Sequence, residues 1–257
     1  MTIPIVMNSG EEGSAETPTV QNSKLESRRR RGIKGEKESP FVPVNASTTA
    51  MPSYKLNYFD ARGLAEVSRS MFILSDTPFE DNRIPKDQWP ALKEKTPFGT
   101  LPVLEIDGKP LPQSLAIARY LAKQFGFYGN TPFESAWVDA LADQMKDFLA
   151  EMRPYFAVAM GMVEGDKEKM KNEVALPAIK KHFSLLEKVA KENGANGHFV
   201  GSSLTYVDLL VSDFIYSVDS MIPGFINEYP AVAAVRTKVV NTPKLKEWIE
   251  KRPKTAT

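Results

Sequence analysis

Tyr58 closes the run "YKLNYF", and its side chain is a group that can act on an anion. A tyrosine hydroxyl is neutral near pH 7 and can aim its proton at a negative charge. The run reads as a strand, so Tyr58 falls at the C-terminal end, where open α/β sheets expose ligand-binding edges. As a lone residue it would serve equally well as a core aromatic with a satisfied hydroxyl. Tyr54 begins the same strand, far from that edge, and reads as structural. Gln113-Ser114 stands directly before a helix, whose first N–H groups and positive partial charge suit a carboxylate. A plain N-cap explains the same pair. Trp89 and Lys93, spaced i, i+4, offer an indole N–H and a cation, though such pairs on surface helices commonly carry no role. Leu101-Pro102 starts a strand with a residue that cannot donate to a ladder. On the residues alone it is a trans proline at an edge, since cis is the minority state. Asp147, in "VDALADQMKDF", is by itself a surface carboxylate.

Composition narrows the chemistry. The chain of 257 residues has no cysteine, which excludes disulfides, thiolate metal sites and a cysteine nucleophile. Any thiol chemistry must use a thiol brought by a ligand. The two histidines, His182 and His198, sit in no recognisable catalytic or metal motif. A net charge of +1 gives no general reason to bind nucleic acid or membrane. No apolar run approaches the roughly 18 residues of a membrane span.

The elements that must position these residues alternate from 54 onward. "YKLNYF" predicts a strand. A helix follows, with Asp60 as N-cap and Leu64, Val67, Met71 and Leu74 near helical spacing. "FEDNRI" predicts a second strand, and "KDQWPALKE" a short helix broken by Pro90. "LPVLEIDGKPLPQS" reads as a hairpin turning at Asp-Gly. "SLAIARYLAKQFG" is an amphipathic helix with Ser114 at its N-cap and Gly126 just past its end. The order β-α-β-α-β-β-α suits a small mixed sheet flanked by helices. Beyond "FYGNTP" only helical stretches follow, over 132–158, 167–193, 205–219 and 243–252. In "SSLTYVDLL", Thr205 and Asp208 form a relative of the capping box, with Leu204 and Leu209 at the staple positions. Pro154 should bend or end its helix.

"YKLNYFDARGLAE", "DQWPALK", "PFGTLPVLEIDG" and "QSLAIARYLA", in this order and followed by an all-helical half, resemble the cytosolic glutathione transferases. The likeness is to the sigma class, which includes the haematopoietic prostaglandin D synthase type and many invertebrate enzymes, and it covers about 51–257. It implies an N-terminal thioredoxin-like domain over 52–129 and an all-helical C-terminal domain over 131–257. It implies glutathione as co-substrate and Tyr58 as the catalytic hydroxyl, stabilising a thiolate whose free thiol has a pKa of ~8.5. Glutathione would be held by Trp89 and Lys93 at its glycyl end and by Gly99, Thr100 and Leu101 along its backbone, with Leu101-Pro102 cis. Gln113 and Ser114 would take the γ-glutamyl carboxylate. Asp147 would reach the amino group of glutathione in a partner subunit, which implies a homodimer. The resemblance implies a cytoplasmic detoxifying enzyme acting on apolar electrophiles. Its alternatives are a prostaglandin H2 isomerase, a hydroperoxide reductase, or a ligand carrier or crystallin-like protein without activity.

Two positions depart from that pattern. Leu64 stands where sigma relatives often have an arginine beside the tyrosine, so another cation would have to substitute or the thiol would be less acidic. The prostaglandin synthase type binds a divalent ion through three aspartates, matched here by Asp143, Lys146 and Asp147. Lysine in that set opposes a hard cation, so no metal is expected. The electrophile pocket is expected in "FLAEMRPYFAVAMGM", with Met152, Tyr155, Met160 and Met162 as an adaptable lining.

Residues 1–50 lack apolar periodicity and predict a disordered extension. Its "RRRRGIKGEK" is either a targeting or anionic-surface tag or a solvated charge run. A signal or transit peptide is not expected there, and the sequon at Asn45 is read as without effect. Met51 stands where an alternative start would fall.

Overall fold

A computed structural model describes residues 51–255. The expectations for the extension, its arginine run and Asn45 lie outside the described residues.

Strand β1 (Tyr54–Phe59) runs between β2 (Glu80–Ile84), parallel to it, and β3 (Val103–Ile106), antiparallel; β4 (Lys109–Pro112) completes the order β2-β1-β3-β4. Tyr58 lies opposite Arg83 and Leu56 opposite Leu104. Alternation puts Tyr54, Leu56 and Tyr58 on the buried face. Asp107 and Gly108 close the β3–β4 hairpin with φ of +49° and +75°, the positive pair that a tight hairpin turn requires. The Asp107 carboxylate also accepts from the Ser53 N–H at 2.9 Å, tying the start of β1 to the turn.

Helices α1 (Glu66–Leu74), α2 (Trp89–Lys93) and α3 (Ser114–Phe125) complete this half. The small mixed sheet anticipated from the strand and helix order is present, in the thioredoxin-like arrangement that the resemblance implied. The all-helical half follows: α4 (Pro132–Ala159), α5 (Lys167–Met170), α6 (Leu176–Glu192), α7 (Tyr206–Asp219), α8 (Pro230–Val240) and α9 (Pro243–Lys251). Its core joins Phe148 of α4 to Phe183 of α6, with ring centroids 5.4 Å apart and edge-on. Asp139 ties the halves together. It accepts from Arg119 of α3 at 2.9 Å, from Tyr206 of α7 at 2.6 Å, and from Tyr128.

Several local expectations are corrected. Asp60 caps no helix: its carboxylate pairs with Arg83 at 2.9 Å, and a 3-10 turn over Gly63–Ala65 intervenes before α1. Ser114 is the first residue of α3 rather than its cap. Gln113 holds the cap position with φ +77° and makes no side-chain bond there. Pro90 opens α2 instead of breaking it, because the first-turn N–H it lacks has no helical partner anyway. Pro154 lies within α4, which runs on to Ala159. Pro102 precedes β3 instead of starting it, and the Leu101-Pro102 bond is cis, not the trans form the residues alone suggest. Gly126 ends α3 in the left-handed conformation, as anticipated.

Candidate active site

The end of β1 and the turn after it bring Tyr58 under the backbone of Gly63 and Leu64. The Leu64 N–H donates to the Tyr58 hydroxyl oxygen at 3.1 Å, so the phenol accepts from the main chain and keeps its own proton to donate elsewhere. Tyr58 is 9% exposed. Burial raises its pKa above the usual tyrosine value, and that outweighs the opposing pull of the Leu64 N–H and the Arg69 guanidinium. At neutral pH the group is therefore a neutral donor, not a base.

A cavity of about 390 Å³ opens beside this turn. Gly63 and Leu64 form one wall, and Gln113 and Ser114, at the start of α3, form another. The first N–H groups of α3 meet it without a side-chain cap of their own. Two sequence-selected parts, the β1 turn and the α3 N-terminus, thus share one cavity. A second group gathers at the neighbouring edge. Trp89 packs edge-on against Phe59 with centroids 5.5 Å apart, and Phe59 lies 5.6 Å from the Tyr58 ring. A Cβ built at Gly99 would touch the Lys93 side chain at 3.6 Å, which places the "PFGT" turn against α2. Lys93 and Thr100 are exposed, and Leu101 half-buried. Asp147 is exposed and does not line the cavity; Asp143 and Lys146 on the same helix do. Asp143 is held by Arg119 at 2.5 Å.

The residues 64–132 match the glutathione S-transferase N-terminal domain family, and 150–252 match its C-terminal domain family. Glutathione S-transferase 1 of Ascaris suum is 51% identical over 205 residues, covering 80% of this chain and 99% of that protein. Among solved structures, a monomeric glutathione S-transferase of the hookworm Necator americanus is 48% identical at a TM-score of 0.77. It matches over 80% of this chain and all of its own. A Nu-class enzyme of Haemonchus contortus is 47% identical at 0.74, over the same shares. The chain belongs to the glutathione S-transferase family.

In this transferase, residues that the motif reading passed over frame the tyrosine. Arg69 is fully buried, 5.9 Å from the Tyr58 ring centroid. It donates to Asp81 at 2.9 Å, to Glu66 at 3.2 Å and to the Ala61 carbonyl at 2.7 Å. Glu66 in turn accepts from Trp248 and Arg252, each at 2.8 Å, which fastens α1 to the C-terminal end of the chain. Arg62 pairs with Asp213 of α7 at 3.1 Å, and its guanidinium carbon lies 4.1 Å from the Tyr216 ring centroid. Asp213 reaches the cavity wall. Its carboxyl is pushed up to about 6, first by burial and then by Glu66, against the pull of Arg62 and Arg252. The signal was legible in "ARGLAEVSR". Arg62, Glu66 and Arg69 fall at i, i+4 and i+7, one face of the turn and helix, among residues that are otherwise small or apolar.

The cavity is not lined by the residues expected to meet the electrophile. Met152 and Tyr155 are fully buried on the core face of α4, while Met160 and Met162 are exposed near its end. The cavity instead takes Leu149 and Arg153 from α4 and Leu210 and Phe214 from α7. The reason is the 3.6-residue period: 152 and 155 share the inward face with Met145 and Phe148, whereas 149 and 153 fall on the face that lines the cavity.

Proposed function

We propose that this transferase joins the glutathione sulfur to apolar electrophiles, with the Tyr58 hydroxyl donating a hydrogen bond to the thiolate. What carries this reading is the Leu64 N–H bond to the Tyr58 oxygen, which fixes the phenol while leaving its proton to be donated. One hydrogen bond that favours the thiolate lowers a thiol pKa by about a unit, worth ~1.4 kcal/mol. The thiol proton passes to solvent and the sulfur bonds to carbon; in a substitution the leaving group takes the bonding pair away, and in an addition the π pair moves to the neighbouring atom, which takes a proton from solvent.

Glutathione would lie along the edge from α2 to α3. Lys93 and Trp89 would take its glycyl carboxylate, and Gly99, Thr100 and Leu101 its peptide backbone. The uncapped N-terminus of α3, with Gln113 and Ser114, would take its γ-glutamyl carboxylate. In a two-fold dimer, Asp147 would meet the α-amino group of glutathione across the interface; its exposure, away from its own cavity, supports that assignment. We place the enzyme with the tyrosine-type, sigma-like transferases acting in the cytoplasm. No helix among the described residues is long and apolar enough to cross a membrane. Arg69 is the cation nearest the tyrosine in place of the one Leu64 lacks, and it acts through the ring rather than the sulfur. Lys146 between Asp143 and Asp147 opposes a divalent ion, so catalysis proceeds without a metal.

Retention on immobilised glutathione, and turnover of a chlorodinitrobenzene by wild type and Tyr58→Phe, test this. Retention with turnover that collapses in the variant is expected. Wild type that binds without turning over, or a variant of equal activity, would sink the mechanism.

A further inference from the structure

We infer that the electrophile cavity is built for apolar electrophiles carrying a carboxylate, with Arg153 as the residue that docks that charge. The inference rests on the electrophile-site reading above and gives it a substrate class. Leu64, Leu149, Leu210 and Phe214 supply apolar wall. The charged groups on the same wall are unequal in what they have left to offer. Asp143 is already engaged by Arg119, and Asp213 by Arg62. Glu151, two residues before Arg153, is turned to the opposite side of α4, where it meets Lys181 at 2.5 Å and His182 at 3.2 Å. Lys146 and Arg153 remain, exposed and with no carboxylate partner among the described residues.

These two cations sit seven residues apart on one face of α4, roughly 10 Å along the axis. Lys146 has Asp143 one turn away at i−3, so part of its field is compensated. Arg153 lies about 15 Å from Asp143 along the helix and has no such neighbour. An exposed planar guanidinium on the wall of this cavity, beside its apolar side chains, is suited to grip a carboxylate through two parallel bonds. Asp213 would repel such a ligand if it stood alone, but it is paired with Arg62, which is not part of the cavity lining.

The chemistry balances without a further reactant. With an α,β-unsaturated ketone, the glutathione sulfur bonds to the β-carbon and the alkene pair moves to the α-carbon. A proton from solvent ends there, replacing the one the thiol released.

The test compares an apolar enone bearing a free carboxylate with its methyl ester, as the acid-to-ester ratio of kcat/KM within each protein. Taking a ratio cancels any general loss of activity in a variant. Wild type should prefer the acid by on the order of tenfold, mainly through KM, with the preference shrinking as salt rises. Arg153→Met should bring the ratio to about one, Arg153→Lys should keep part of it, and Lys146→Gln should keep most. A wild-type ratio near one, or a preference that survives Arg153→Met, overturns the inference. Failure of the underlying reading looks different: wild type would turn over neither acid, ester nor the neutral chlorodinitrobenzene.

Discussion

Gly63 has φ +38°, and a Cβ built on it would stand 2.6 Å from the Tyr58 hydroxyl oxygen. The glycine thus leaves room for the phenol as well as allowing the turn. Gly63→Ala is expected to push the hydroxyl aside and lower kcat/KM at least ~tenfold, since about 1.4 kcal/mol of transition-state stabilisation is worth that factor. Steady-state turnover measures it; wild-type turnover would show that the close approach is immaterial. Asp213 gives a second expectation at this scale. Its folded pKa, about 6, lies above its ordinary 3.8, so the folded chain holds this proton more tightly than the unfolded one. Its contribution to stability is fully present below pH ~4 and is lost as pH rises through about 6. The stability of wild type minus that of Asp213→Asn should therefore fall by roughly 3 kcal/mol from pH 3 to 8 in denaturant titrations. A difference that is flat with pH contradicts the assignment. The positions of Tyr58, Gln113 and Ser114 were legible, because each sits at an element end that sequence signals mark. Gly63 and Asp213 were not, because a close approach and a long-range ion pair leave no local pattern.

At the scale of elements, local rules held where the chain's own chemistry sets the structure. The Thr205 N–H and hydroxyl donate to the same Asp208 oxygen at 2.8 and 2.9 Å, and the other Asp208 oxygen accepts from the Phe199 N–H at 2.9 Å. This start of α7 was readable from "SSLTYVDLL". Thr205→Ala should cost about 1 kcal/mol in equilibrium unfolding; no loss would show that Asp208 caps without it. Helix α8 was missed. In "PAVAAVRTKVV" small and branched apolar residues fall on all sides, so no face stands out. Its start is instead secured from afar, by Glu187 of α6 accepting from the Ala231 and Val232 N–H groups at 2.9 and 3.0 Å. The start of α1 was misplaced for a related reason. Asp60 has the right residue type for a cap, but Arg83 on the neighbouring strand claims it.

At the scale of the whole molecule, the order of elements alone implied a small mixed sheet followed by helices, and the four motifs gave the family. What sequence patterning leaves open is how the two halves meet. Arg62–Asp213 and Glu66 with Trp248 and Arg252 join residues more than 150 positions apart, as does no motif. Assembly is an expectation at this scale. The chain should sediment at twice its 28.6 kDa, and Asp147→Asn should weaken glutathione binding several-fold while leaving that mass unchanged. A monomer with full glutathione affinity would remove the shared site, and the hookworm relative shows that a monomeric form is compatible with this fold.

The central claim is that Tyr58 stabilises the thiolate of bound glutathione, and titration of that thiol is its most direct test. Ultraviolet absorbance of the enzyme-bound thiolate, followed against pH, gives the thiol pKa in wild type and in Tyr58→Phe. The wild-type value should lie at least about one unit below the free thiol's ~8.5, and the variant's should return toward it. Equal values in the two proteins would contradict the account.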